Sequence, residues 1–299
     1  MYENLAAVIV TYNPQREELK KLASLISKQV AKLYIVDNGS DVRVSSYIDA
    51  STELIELCDN YGIAKAQNIG IDRAIKDGFT DFILFDQDSQ PAENMVEQLV
   101  TTRQLAQNSG LKVAAVGPLH IDQDDFNECV YVDTSKGNVD KIIPSIVKQN
   151  GNSFVSCDFL IASGCLISRE SLDLVGFMED ELFIDCVDIE WCYRALSKGL
   201  HCIAAFEAKM YHKIGDKPLT ILGRNLTTHS PIRHYYFYRN FYTLLKRSYI
   251  PSCWKRYTLV KSTIQAVVFS LFLFPRLKQI KFIIKGIFHG ITGRKGKYE

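Results

Sequence analysis

Phe82–Gln90 reads FILFDQDSQ: four large apolar residues run without a break into Asp86-Gln87-Asp88, and Pro91 opens the next segment. A strand that is apolar on both faces belongs inside a sheet covered on both sides, which is the habit of parallel α/β sheets. The neighbouring sequence has the same grammar. Upstream lie strands at Ala6–Thr11, Leu33–Asp37 and Leu54–Cys58, with helices at Arg16–Gln29, where Leu19, Leu22 and Ile26 repeat at helical spacing, and at Ala64–Lys76. Downstream, a helix over Ala92–Gln107 precedes a strand at Val113–Gly117. Residues 120–155 are polar and irregular, as a loop or hairpin insertion; a strand at Phe159–Ile167, a helix at Asp188–Lys198 and a strand at Cys202–Tyr211 follow. The alternation predicts an α/β fold with a doubly wound, mostly parallel sheet whose ligands bind at the carboxyl ends of the strands.

Composition sets the outer bounds. A chain of 299 residues, 47% hydrophobic and 23% charged, with 17 Gly and 8 Pro, is globular rather than disordered or collagen-like. Its net charge of +1 hides a division: residues 246–299 hold 12 Lys and Arg and one acid, Glu299, leaving 23 bases and 33 acids for the rest. A mildly acidic body thus carries a basic tail suited to phosphate or an anionic surface. The eight cysteines form no Cys-x-x-Cys pair, and most sit in apolar segments as small buried hydrophobes, which argues against zinc. The opening MYENLAAVIV has no charged, cleavable leader, so a cytoplasmic location with reduced thiols is expected.

Two carboxylates one residue apart at a strand end suit a hard divalent cation shared with substrate phosphates; they equally suit a solvated loop in which Asp88 or Ser89 caps the next helix. A second acidic cluster, LFIDCVDIEWCYR over Leu182–Arg194, places Asp185 and Asp188 at the start of a helix, with Glu190 and Arg194 spaced to pair on its surface. Asp188, at the mouth of the same sheet, is the candidate general base, and an ordinary carboxylate of pKa about 3.9 is ionised at neutral pH without adjustment. Strand ends Thr11-Tyr12-Asn13 and Asp37-Asn38 carry polar residues able to hold a nucleoside, or to form plain turns. Neither Gly-x-Gly-x-x-Gly after the first strand nor a Walker loop is present, which excludes the usual dinucleotide and P-loop sites.

VIVTYN, IVDNGS, DNYGIAKAQNIGI, ILFDQDSQP, SGCLISR, LFIDCVDIEWCYRA and HKIGD follow one another over about residues 5–216. In that order and spacing the chain resembles the inverting family 2 glycosyltransferases, and within them the bacterial rhamnosyltransferases of surface polysaccharide assembly. The resemblance implies a GT-A fold, a doubly wound mixed sheet over residues 1–220, with residues 221–299 as a C-terminal amphipathic helical extension. It implies that Thr11, Tyr12, Asn13, Asp37 and Asn38 surround the nucleobase and ribose, and that Asn60, Gly62, Asn68 and Gln87 line the nucleotide and diphosphate. Asp86 and Asp88, with His212, would bind Mg²⁺ or Mn²⁺; Arg233 and Tyr236 lie where the family closes over the donor. Asp188 remains as base, although the family's usual Glu-Asp pair reads Val187-Asp188 here. Asp185 is the candidate to replace the missing Glu. The implied donor is dTDP-β-L-rhamnose and the implied acceptor a lipid-linked glycan at the cytoplasmic membrane face.

The tail agrees with such an acceptor. Ile264–Phe274 is too short an apolar run to span a bilayer, and in Arg276–Gly290 isoleucines alternate with lysines at helical spacing, the pattern of a helix lying in the membrane interface. Core packing or a homodimer contact would use the same pattern. Nucleic acid is excluded as a partner because large aliphatic residues interrupt the charges. Two alternatives to a transferase stand at this level: a glycoside hydrolase built on paired carboxylates, and a silent membrane-docked module for polysaccharide assembly.

Overall fold

The computed structural model describes residues 2–49, 52–123, 126–212, 216–221 and 224–299. The elements are β1 (Tyr2–Thr11), α1 (Arg16–Ile26), β2 (Val30–Asp37), β3 (Glu53–Glu56), α2 (Ile63–Lys76), β4 (Asp81–Asp86), β5 (Gln90–Pro91) and α3 (Met95–Asn108). They continue with β6 (Val113–Asp122), β7 (Tyr131–Asp133), β8 (Asp140–Ile142), α4 (Pro144–Gln149), β9 (Phe154–Cys157), β10 (Leu166–Ser168), α5 (Arg169–Val175) and α6 (Val187–Leu196). Then come β11 (His201–His212), the hairpin β12 (Asp216–Ile221) and β13 (Arg224–Thr228), and three helices, α7 (Pro231–Leu244), α8 (Ser252–Phe272) and α9 (Arg276–Thr292).

The central sheet runs β3-β2-β1-β4-β10-β6-β11-β5, with β9 also paired to β11. Strands β1 to β4 are mutually parallel where they pair, β6 is parallel to β11, and β10 runs antiparallel between β4 and β6. Alternate residues of each central strand feed two cores. Ala6, Val8, Val10, Phe82 and Leu84 pack beneath α2 and α6, while Ala7, Ile9, Ile83 and Phe85 pack beneath α1 and α3. The double apolar face read from the sequence is thus the direct cause of the three layers. On α2, a Cβ at Gly70 would collide with Val8, so glycine lets that helix lie close on the sheet.

Register brings three strand ends to one level. Thr11 stands opposite Asp37, and Val10 opposite Asp86. The expected strand at Phe159–Ile167 is not one. Only Leu166–Ser168 pairs, and the residues before it form a loop with Gly164 at φ +82°, in which Leu160 and Cys165 are buried and Ile161 is exposed. Apolar character there reports burial of Leu160 and Cys165, not extension. The loop turns because Ser163 Oγ accepts from the Asp86 N–H at 3.2 Å, and this brings Ile161 and Ala162 beside the strand end.

The three C-terminal helices pack onto the body. Phe241, Leu244 and Trp254 belong to the same core as Trp191 and Phe206. Helix α9 lies against α7 at Gly286 and Gly290, where an added Cβ would stand 2.5 Å from the carbonyl oxygens of Tyr235 and Arg239 respectively. Glycine inside a helix is intrinsically unfavourable by about 1 kcal/mol, so this close approach is what those positions gain from it. Among the described residues no helix is long and apolar enough to cross a membrane.

Candidate active site

A cleft of about 870 Å³ opens at the carboxyl ends of β1, β2 and β4. One side is formed by Thr11, Tyr12, Asn38, Asn60 and Gly62, the floor by Asp86, Gln87 and Asp88, and the far side by Phe183–Ile189 with Ser230 and Arg233. The polar side is fixed by its own hydrogen bonds. Thr11 Oγ1 donates to Asp37 Oδ1 at 3.0 Å, and the Tyr12 N–H donates to Gln87 Oε1 at 2.7 Å. Asn38 Nδ2 donates to Asn60 Oδ1 at 3.1 Å, which also receives the Gly62 N–H at 3.0 Å. Gly62 has φ +88°, and an added Cβ would lie 2.5 Å from the Phe183 carbonyl oxygen, so the backbone there passes tight against the opposite wall.

That opposite wall is strained. Phe183, Asp185 and Cys186 all have positive φ, at 65°, 66° and 63°. Such residues cost about 1–3 kcal/mol each and persist only where the surroundings over-determine them. The restraint comes from α7. Asn240 Nδ2 donates to the carbonyls of Leu182, Ile184 and Asp185, each at 2.8 Å, and Arg239 donates to those of Leu182, Glu181 and Gly296. Both side chains are fully buried. Tyr236 stacks on Phe183 at 4.8 Å and lies under the Arg239 guanidinium.

The wall delivers Asp188 to the first turn of α6, where its Oδ1 accepts from the Ile189 N–H at 2.9 Å. Its carboxyl is half-buried in the cleft, and its pKa is pushed up from 3.8 to about 6. Desolvation is the main cause, and the nearby charges of Asp185 and Asp86 add to it against the Ile189 N–H. The ordinary carboxylate expected from sequence is therefore a tuned one, still mostly ionised at neutral pH and a better proton acceptor. Asp185 is held bidentately by Arg233 at 2.9 and 2.6 Å. It is therefore an ion-paired carboxylate that lines the cleft. Glu190 is buried and pairs with Arg194 as the spacing predicted.

The profile of "Glycosyl transferase family 2" matches residues 6–175. This chain belongs to glycosyltransferase family 2. It is similar over nearly its whole length to the dTDP-rhamnosyl transferase RfbF of Shigella flexneri, at 34% identity over 99% of this chain and 97% of that protein. The low-salt glycan biosynthesis hexosyltransferase Agl10 of Haloferax volcanii is 23% identical over 100% of this chain and 94% of its own length. Among solved structures, GalNAc-T7 with UDP, GalNAc and Mn²⁺ superposes with a TM-score of 0.60 at 16% identity over 82% of this chain. The chain spans about half of that protein, 48%, and the likeness shows the GT-A fold. Family membership decides between transfer and hydrolysis in favour of a glycosyltransferase.

In this glycosyltransferase the residues marked from sequence divide into two layers. Thr11, Tyr12, Asn38, Asn60, Gly62, Asp86, Gln87, Asp88, Asp188 and Arg233 line the cleft. Asn13, Asp37, Asn68 and Tyr236 stand behind it: Asn13 binds Ser40 and Asp41, Asp37 takes the Thr11 and Ser40 hydroxyls, and Asn68 ties down Met178 and Asp180. His212 ends β11, and its side chain lies outside the described residues, as do residues 213–215 of HKIGD. Two residues were missed. Gln67, inside the DNYGIAKAQNIG motif, lines the cleft with a buried Oε1 that has no partner. Asn240 left one signal, an amide beside an arginine inside the aromatic run HYYFYRNFY.

Because the native state binds the Asp188 proton more tightly than the unfolded chain does, the stability owed to this group falls as pH rises from about 4 to about 6. Asp188→Asn should therefore raise stability at pH 8 by about 1–3 kcal/mol and leave it nearly unchanged at pH 4. Urea midpoints of the two proteins at both pH values check this. A midpoint at pH 8 no higher than wild type contradicts the desolvated carboxylate.

Proposed function

We propose that the protein transfers L-rhamnose from dTDP-β-L-rhamnose, with inversion, to a hydroxyl of a lipid-linked glycan at the cytoplasmic face of a membrane. The observation that carries this reading is the placement of the tuned Asp188 carboxylate in the same cleft as Asp86, Asp88 and the Asn38–Asn60 wall. The likeness to a dTDP-rhamnosyl transferase supports the sugar and the nucleotide. Tyr12, Asn38 and Asn60 would hold the nucleoside, with the buried Thr11 bracing that wall through Asp37.

Among the described residues no three His, Cys, Asp or Glu side chains gather round one point. Asp86 and Asp88 are a pair of hard oxygen donors open to the cleft, and Asp86 lies near enough to Asp188 to raise its pKa. These two oxygen donors would hold Mg²⁺ or Mn²⁺. When bound, such a cation neutralises charge on the departing dTDP. Asp188 accepts the proton of the acceptor hydroxyl as its oxygen forms a bond to the anomeric carbon. The bond from that carbon to dTDP breaks on the opposite face, which inverts the configuration, and the proton then passes from Asp188 to solvent. Arg233 balances Asp185, so that one negative charge fewer faces the incoming diphosphate.

The C-terminal helices supply the surface for a membrane. On α8, Val260, Ile264, Val267 and Leu271 form one exposed row, and on α9 Leu277, Ile284, Phe288 and Ile291 form another. Lys278 and Lys281 are exposed beside the second row. Ile283, by contrast, is buried against Tyr238 and Phe269, so only part of the isoleucine repeat faces outward. Apolar rows flanked by lysine suit an anionic bilayer surface, where each lysine contributes about 1 kcal/mol.

Calorimetric titration with dTDP-rhamnose, UDP- and GDP-sugars tests the donor. Tightest binding to dTDP-rhamnose in Mg²⁺ or Mn²⁺, weakened at least about tenfold by EDTA and by Asp86→Ala/Asp88→Ala, is expected. Binding indifferent to metal removes the cation, and binding of no nucleotide sugar overturns the transferase reading. For the membrane, Ile264→Asp/Leu277→Asp should abolish co-sedimentation with phosphatidylglycerol vesicles while donor affinity stays unchanged. A wild-type protein that ignores vesicles, or a dimer that these substitutions split, contradicts the membrane role.

A further inference from the structure

A second cavity, of about 430 Å³, lies between the β7–β8 hairpin, α6, α7 and α8. It borders the donor cleft, for Asp185, Cys186, Ile189, His229 and Phe237 line both spaces, and Asp188 stands on the cleft side of that border. A ligand seated in it can therefore present one end to the base. Its walls are largely aromatic, with Phe159, Trp254 and Tyr257 offering flat apolar faces of the kind that cover the C–H faces of a sugar ring.

Polar groups stand in those walls too, His234, Lys141 and Lys261 among them. His234 Nδ1 faces Gln279 Oε1 at 2.8 Å, so that nitrogen carries the proton, and burial lowers the ring's pKa and keeps it neutral. His234 Nε2 then holds a lone pair, is buried, and has no hydrogen-bond partner. A buried acceptor left open is costly unless something donates to it, and a ligand hydroxyl is the group that fits. Lys141 of β8 and Lys261 of α8 line the cavity from different walls, and neither is engaged in a salt bridge among the described residues. Both lysines are exposed, and Asp185, the one acid among the described lining residues, is paired with Arg233, so the charge left to a ligand is positive and selects an anion. Lys261 lies on α8 between Val260 and Ile264, which are 62% and 60% exposed. An apolar chain leaving an anion held at Lys261 would run straight onto the outward row of that helix.

We infer that this cavity is the acceptor site, and that it takes a saccharide joined through phosphate to a lipid: sugar against the aromatic wall and His234, phosphate at Lys141 and Lys261, lipid along α8. The inference rests on the transferase reading and names the partner of the same reaction. Phosphate is the shared chemistry of a lipid-linked and a soluble sugar phosphate, and the apolar row on α8 favours the lipid.

Trp254 provides the readout, because it lines the cavity and Trp191, the other tryptophan, does not. With the donor cleft filled by saturating dTDP, the full-length protein is titrated with decyl diphosphate, with inorganic diphosphate and with the uncharged decyl maltoside. Decyl diphosphate should change the fluorescence, a change absent in Trp254→Phe, and bind at least about tenfold more tightly than either control. Lys141→Glu/Lys261→Glu should weaken that binding about tenfold or more, with dTDP affinity unaltered. Equal binding of inorganic and decyl diphosphate overturns the lipid link. Binding indifferent to the lysines, or without a Trp254 signal, overturns the site. Failure of dTDP itself to bind wild type would instead count against the transferase reading, so the two failures are separable.

Discussion

One buried amide restrains the wall on which the catalytic geometry depends. Asn240 gives its two N–H groups to three carbonyl oxygens of residues 182–185, while Arg239 takes up neighbouring ones. Phe183 and Asp185 of that segment and Cys186 just after it sit at positive φ, a conformation the chain does not keep unaided. Asn240 satisfies carbonyls that a turn of this shape would otherwise leave without partners, and so the strained turn becomes the stable one. The consequence is positional: α6 starts at Val187, and Asp188 faces the strand ends that carry Asp86 and Asp88.

From this follows the role of the C-terminal helices. They are part of the catalytic body as well as its outer face. Helix α7 clamps the wall, α9 secures α7 through Gly286 and Gly290, and Arg239 also reaches the carbonyl of Gly296 beyond α9. Structure running from the outward apolar rows of α8 and α9 to Asp188 is therefore continuous. The charges in the cleft follow the same economy of placement: four carboxylates line it, Arg233 pairs with Asp185, and desolvation together with the charges of Asp185 and Asp86 leaves Asp188 with a pKa of about 6.

Much of the sheet was legible because parallel strands buried on both faces leave continuous apolar runs, as in AAVIVT and FILFD. The polar residues that end those runs, Thr11, Asn38 and Asp86, were legible for the same reason, since register places strand ends together. Phe159–Ile167 misled because burial without pairing has the same composition as a strand. The division between cleft-lining Asn38 and Asn60 and supporting Asn13, Asp37 and Asn68 depends mostly on hydrogen bonds between residues far apart in sequence, 22 positions for Asn38–Asn60 and 112 for Asn68–Asp180, which no local pattern encodes. Nor could the raised pKa of Asp188 be read in advance, because desolvation comes from residues brought together only by folding. Asn240 acts 55 to 58 residues from its partners, so its single local trace was a polar pair set in an aromatic helix.

The central claim is that Asp188 takes the acceptor proton in a cleft that binds the donor without its help. Donor affinity and transfer rate of Asp188→Asn, measured beside the wild-type pH profile of transfer, test it most directly. The account predicts donor affinity within about twofold of wild type, transfer reduced by about 10²–10⁴, and a wild-type rate that rises with pH to a plateau through an apparent pKa near 6. Near-normal transfer by Asp188→Asn would contradict it.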